Sequence, residues 1–156
     1  MRLVLITALV TLVLDQLSKW VVVWRMNLAL RGEIEVWPPF LTFRMAWNYG
    51  INFGLGASSS DAMRWILIAV ALVIVVVVLV WIWRTPPGRA GLISGGLLVG
   101  GAIGNVIDRV LYGAVADFLN MSCCGIENPY AFNIADIAIF IGAVGLAVLP
   151  PPKNAA

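Results

Sequence analysis

No histidine occurs anywhere in the 156 residues. That absence removes Ser-His-Asp and Cys-His catalysis and the usual histidine-bearing metal sites. Charge is scarce too. Only 12% of residues are Asp, Glu, Lys or Arg, against roughly 25% in a soluble domain. With 62% hydrophobic residues and a mean hydropathy of +0.97, a water-soluble fold is not expected. The net charge of +2 is too small to suggest a nucleic-acid partner, and no Lys/Arg run marks a lipid-headgroup patch. The two cysteines, Cys123 and Cys124, are adjacent. Their spacing fits no zinc site, and they read as loop thiols or as a local vicinal pair.

What is present is apolar sequence in four runs: Leu3–Trp24, Trp65–Trp83, Ala90–Val110 and Phe132–Leu149. Each approaches the ~20 residues that a helix needs to cross a bilayer. The first begins like a leader, with Arg2 before an apolar stretch, but no small-residue cleavage site follows, so a retained span is expected. Tryptophans at the run ends (Trp20, Trp24, Trp65, Trp81, Trp83) sit where interfacial belts form. The expectation is an all-α membrane protein of four transmembrane helices, one domain over residues 1–156. Four spans put both termini on one side. Arg2, Arg84, Arg89 and Lys153 lie there in short segments, which favours cytoplasmic termini. In the first outer loop, Leu41–Asn48 alternates larger apolar with smaller or polar side chains. That period of two predicts a strand with one greasy face, suited to the membrane surface. Pro38-Pro39 precedes it, and Gly50, Gly54 and Gly56 end it.

The informative residues are polar ones where polarity is expensive. A charge at mid-bilayer costs roughly 2.5–3.5 kcal/mol on insertion scales, yet Asp15, Asp108, Asp117 and Asp136 all lie in or beside spans. Asp15 and Lys19, four apart, share a helix face. They read either as a self-neutralising pair with Lys19 snorkelling to the interface, or as a group that positions a reaction centre. Gly96, Gly100 and Gly104 form a small-residue stripe for close helix approach. Asn105 is spaced to face Asp108 and Arg109, which suggests a polar network fixing the helix end. Asp117 and Asp136 flank a short outer loop at one level, and Asn133 stands one turn before Asp136. Two close carboxylates do not both ionise easily, so one keeps a proton. The ionised one can activate water against an amide carbonyl, while the protonated one polarises that carbonyl and then serves the leaving nitrogen. This chemistry needs no metal or other cofactor.

Five segments then carry a family resemblance: Asp15-Gln16-Leu17-Ser18-Lys19, Asn48-Tyr49-Gly50-Ile51-Asn52-Phe53-Gly54, Gly101–Arg109, Val115-Ala116-Asp117-Phe118 and Phe132-Asn133-Ile134-Ala135-Asp136. In this order, over nearly the whole chain, they resemble lipoprotein signal peptidase, the bacterial type II signal peptidase. The resemblance implies an aspartic intramembrane endopeptidase of the inner membrane, with its site near the outer face. It would cut prolipoproteins just before a cysteine that already carries diacylglyceryl, and so release the signal peptide. It implies Asp117 and Asp136 as the catalytic pair. Asp15, Lys19, Asn48, Gly50, Asn105, Arg109 and Asn133 would support the site, beside the polar Asp108. The implied fold adds a small extracytoplasmic β-cradle and loop to the four helices. The implied partners are the lipidated substrate, membrane lipid and globomycin-type inhibitors, and one chain holds a full site, as in a monomer. Ile51 and Asn52 depart from the small residues the family often has there.

Three other readings compete. A proton relay would use the four aspartates, but the second span carries no ionisable group between its ends. A Ser18–Lys19 peptidase is awkward, because adjacent helical residues point about 100° apart. A non-catalytic scaffold needs only the glycine stripe.

Overall fold

The computed structural model describes residues 1–50, 60–123, 125 and 127–148. Helix α1 (Arg2–Lys19) runs on through a π-helical turn, Trp20–Arg25. A one-turn helix α2 (Leu28–Arg31) leads into strands β1 (Glu33–Trp37) and β2 (Leu41–Asn48). Then come α3 (Ser60–Arg84), α4 (Arg89–Tyr112), strand β3 (Val115–Met121) and α5 (Ile134–Val148). Among the described residues three stretches are long and apolar enough to cross a membrane: Arg2–Arg25, Asp61–Arg84 and Arg89–Tyr112. The fourth expected run is shorter as a helix, Ile134–Val148. Phe132 and Asn133 do not belong to it. Phe132 instead pairs with Leu119 beside the sheet, because the chain must first return its backbone hydrogen bonds to β3. Leu149 and Lys153 lie outside the described residues, as do Ile51, Asn52, Gly54, Gly56 and Cys124.

Helix α4 is the centre of the bundle, and its glycines make it so. A Cβ on Gly100 would come within 2.5 Å of the Ala8 carbonyl oxygen, and one on Gly96 within 2.8 Å of the Val4 carbonyl oxygen. On another side of the helix, a Cβ on Gly101 would meet the Ala135 carbonyl oxygen at 2.5 Å. Helices α1 and α5 therefore touch α4 backbone to backbone. In lipid this is how helices associate, since surrounding tails remove any hydrophobic drive between them. The glycine stripe does what its spacing predicts. Ala8, Val75, Val99 and Ala102 form the buried heart of the bundle. Helix α3 packs mainly on α4 and leaves Ile66, Val70, Val73, Val76 and Val77 exposed, an apolar face suited to lipid.

The strand expected over Leu41–Asn48 is β2, with those limits. It is the middle strand of an antiparallel sheet ordered β1-β2-β3. Its greasy face, with Phe43, Met45 and Trp47, packs with Ile34 and Leu119 over Val22, Val23, Leu28, Ala116 and Phe118. The Phe43 and Phe118 rings meet edge to face, centroids 5.8 Å apart. A three-strand sheet with one such face is stable where an isolated hairpin is marginal. Asp117, on β3, pairs across to Ala46, so the sheet carries one of the paired aspartates into the site.

Candidate active site

Asp117 and Asp136 arrive from different elements, a strand and a helix start, and meet at Asn133. The geometry at Asn133 is a capping box built from Asn and Asp. The Asn133 side-chain oxygen accepts the Asp136 amide at 2.9 Å, and the Asp136 carboxylate accepts the Asn133 amide at 3.3 Å. Two of the orphan N–H groups that open a helix are thereby satisfied. Because Oδ1 is occupied, the Asn133 side-chain amide must point its Nδ2 elsewhere. It donates to Asp117 Oδ1 at 2.6 Å. One fully buried residue thus caps α5 through Asp136 and holds Asp117 at the same time.

Two more asparagines complete the frame. Asn48, the last residue of β2, donates to Asp117 Oδ2 at 3.1 Å. Its own oxygen accepts the Gly50 amide at 3.0 Å, which fixes its orientation. Gly50 has φ +98°, a conformation that suits glycine, and a Cβ there would strike Leu67. Asn105 on α4 donates to Asp136 Oδ1 at 2.9 Å and accepts from Asn133 at 3.4 Å. It turns to Asp136, not to Asp108 as its spacing suggested. Arg109 donates to the Asn105 carbonyl at 3.3 Å, and its charge acts on Asp136, Asp117 and Asp108. The arrangement is a pair of carboxylates, each with its own asparagine side-chain donor, joined by Asn133, whose side chain donates to Asp117 and whose backbone N–H donates to Asp136.

Burial pushes the Asp117 carboxyl up from 3.8 to about 6, and the negative charge of Asp136 adds to the rise. The Asn48 and Asn133 donors and the Lys19 charge pull the other way but do not cancel it. With only 3% of Asp117 exposed, water does little to soften that charge. Such a pair retains a proton at a pH where isolated carboxylates have lost theirs.

Asp15, Lys19 and Asp108 gather in a neighbouring cluster. Lys19 bonds to Asp15 and Asp108, both at 2.8 Å. It is 4% exposed and does not snorkel: the second carboxylate, brought by α4, holds the ammonium inside. Gln16, to which the motif spacing assigns no role, donates to Asp15 at 3.1 Å and to Asp108 at 2.9 Å. Its only signal in the sequence was its place beside Asp15. Ser18 donates back to the Asp15 carbonyl at 2.7 Å, and with Lys19 committed to two carboxylates no Ser-Lys pair forms. Cys123 is disulfide-bonded. A polar cleft of about 520 Å³, lined by Glu33, Thr42, Arg44, Asn120 and others, lies by the sheet and includes neither Asp117 nor Asp136. Among the described residues no group of three acidic or cysteine side chains is arranged to hold a metal ion.

The family model for signal peptidase (SPase) II matches residues 7–149. A lipoprotein signal peptidase of Methylobacterium sp. (strain 4-46) is 40% identical over 144 residues, covering 92% of this chain and 86% of its own. One from Rhodopseudomonas palustris (strain ATCC BAA-98 / CGA009) is 39% identical over 148 residues, covering 93% and 89%. A bacterial membrane enzyme solved by the in meso method at 1.9 Å resolution superposes with a TM-score of 0.79 at 25% identity, covering 93% of this chain and 90% of that one. Another, solved at 2.3 Å, gives 0.74 at 26% identity, with 93% and 85% covered. Most of the chain is matched each time, and it belongs to the lipoprotein signal peptidase family, the type II signal peptidases.

Proposed function

We propose that this chain is an aspartic endopeptidase that removes the signal peptide from diacylglyceryl-modified prolipoproteins, cutting before the lipidated cysteine. Family membership supports a peptidase acting on lipoprotein signal peptides. The observation that carries the aspartic mechanism is the Asn133 bridge, with its 2.6 Å bond to Asp117 and its reciprocal bonds to Asp136. Asp117, whose ionisation is suppressed, holds the pair's proton at rest. Asp136 is then the ionised partner and takes a proton from water as that water attacks the scissile carbonyl. Asp117 polarises the carbonyl oxygen, and the departing amine collects its proton from the dyad. A carboxyl kept neutral by its surroundings is suited to donating such a bond. Asn48 and Asn105 hold the two carboxylates in place, so little reorganisation is needed on the way to the transition state.

The setting follows from the same reading. The chain forms one domain over residues 1–156, crosses a bacterial inner membrane four times with both termini in the cytoplasm, and acts near the outer face as a monomer. Helix α5, 15 described residues long, is the fourth crossing. Membrane lipid and globomycin-type inhibitors are its expected partners besides the substrate.

The test is cleavage of a diacylglyceryl-modified prolipoprotein by purified protein in detergent, beside Asp117→Asn and Asp136→Asn at equal folded amounts. The parent cuts before the modified cysteine, and each variant loses at least ~10³-fold in kcat, as expected for members of one catalytic unit. Near-normal turnover by either variant would remove the dyad. Proton flux through liposomes without cleavage would favour the relay of aspartates instead.

A further inference from the structure

The second polar cluster touches neither proposed catalytic carboxylate, yet it is bonded to the backbone beside both. Asp108 Oδ2 accepts the Ala116 amide at 3.1 Å, and Ala116 immediately precedes Asp117. Asp15 Oδ1 accepts the Ala135 amide at 3.0 Å, and Ala135 immediately precedes Asp136. Lys19 Nζ joins the two carboxylates at 2.8 Å each, and Gln16 joins them again through its side-chain amide. Asp15 and Asp108 are 0% exposed.

Resting on the dyad reading, we propose that Asp15, Gln16, Lys19 and Asp108 form a positioning clamp that sets the separation of Asp117 and Asp136 through the amides of Ala116 and Ala135. The chain of bonds runs from β3 through Asp108, Lys19 and Asp15 to the first turn of α5. It bypasses the loop that connects the two aspartates in sequence. Bonds from an amide to a carboxylate are about twice as strong as neutral ones, and without water nothing competes for them. Asp15 also lies at the N-terminus of α5, where the helix dipole favours a negative charge. Helix α1 thus carries three of the four clamp side chains and acts on the dyad through backbone amides. Gly104 belongs to the same device. A Cβ there would come within 2.7 Å of Asp15 Oδ2, so glycine leaves the room in which Asp15 reaches α5.

The experiment compares Asp15→Asn, Asp108→Asn and the charge-neutral Gln16→Met with the parent, using Asp117→Asn as the reference for a lost dyad. Four quantities are read in one detergent: kcat, KM, the pH profile, and hydrogen exchange of peptides spanning residues 113–118 and 131–137. The carboxylate variants lose about 100-fold in kcat, the scale expected of a ~1 Å misplacement. KM is little changed, because Asp15, Lys19 and Asp108 are buried and bonded to one another. The alkaline limb of the profile moves, since the influence of Asp136 on Asp117 depends on their separation. Exchange quickens around Ala116 in Asp108→Asn and around Ala135 in Asp15→Asn, and Gln16→Met gives a smaller loss of the same kind. Folded variants with unchanged kcat, pH profile and exchange overturn the clamp, and so does a rise in KM alone. If the carboxylate variants do not fold, Gln16→Met decides in the same way. Turnover by Asp117→Asn would instead sink the dyad reading and the clamp with it, whereas a dead Asp117→Asn beside normal clamp variants sinks the clamp alone.

Discussion

Replacing Asn133 with serine and with alanine separates the two tasks of that residue. Serine is about as good a helix N-cap as asparagine, so Asn133→Ser keeps a cap over the Asp136 amide. It cannot keep the 2.6 Å bond from Nδ2 to Asp117. A hydrogen bond to a charged acceptor contributes about 1.5–3 kcal/mol. At 1.36 kcal/mol for each tenfold change in proton affinity, losing it raises the proton affinity of Asp117 by about one to two pH units. Asn133 is fully buried, so water does not replace the missing donor. The alkaline limb of kcat/KM, which in the parent begins at or above about 6 where Asp117 titrates, therefore moves up by that amount in both variants. Asn133→Ala also loses the cap, a further ~0.5–2 kcal/mol of stability, which thermal unfolding in detergent detects against Asn133→Ser. The assay is cleavage of a lipidated prolipoprotein peptide across pH 5–9, about two units either side of neutrality. If the limb stays put in both variants while kcat falls, the donor is not stabilising the ionised dyad and the reasoning is wrong.

Three further outcomes are expected. Asp117 binds its proton more tightly in the folded chain, at about 6, than at the ordinary value of 3.8, so its burial costs stability as pH climbs through that window. The stability of the parent relative to Asp117→Asn should then fall by up to ~3 kcal/mol between pH ~4 and pH 8, read from thermal unfolding of both; an equal difference at both ends would count against the shift. Gly100→Ala puts a methyl 2.5 Å from the Ala8 carbonyl oxygen and should lower stability by about 1–3 kcal/mol, whereas Gly88→Ala, with nothing within 4 Å, should not; equal melting temperatures would refute the backbone seam. Phe118→Ala, removing a side chain 1% exposed beneath the sheet, should cost about 3–5 kcal/mol and reduce activity by loosening β3, which circular dichroism and turnover at equal protein would register.

Patterns with a local period were legible in the sequence, and contacts made by backbone amides were not. Strand β2 shows its alternation in side-chain type, with Phe43, Met45 and Trp47 packed on the core side. Strand β1 alternates over Glu33-Ile34-Glu35-Val36 before Trp37 ends the pattern. Strand β3 hides itself, since Val115 through Phe118 are buried throughout and no period of two survives. The glycine stripe and the Asp15–Lys19 pair follow from helical spacing. The second partner of Lys19, Asp108, comes from a helix distant in the sequence, so helical spacing alone leaves Lys19 at the surface. Asn133 and Asp136 carry a capping-box spacing, but nothing in the letters says that the other end of the Asn133 amide finds Asp117. The amides of Ala116 and Ala135 leave no trace in side-chain identity.

The Lys19 contacts also bear on how the protein is made. Helix α1 emerges from the ribosome carrying Asp15 and Lys19 as a matched pair one turn apart, so it can enter the bilayer close to neutral on that face. Helix α4 follows with Asp108 and no opposite charge four residues away on its own surface. Asp108 stands four residues before the end of α4, so left unpaired it costs part of the roughly 2.5–3.5 kcal/mol of a helix-centre charge to insert, and the 2.8 Å bond to Lys19 is available only from a helix already in the membrane. The order of elements along the chain is thus also a workable order of insertion: the first segment brings the ammonium, and the later one is drawn to it.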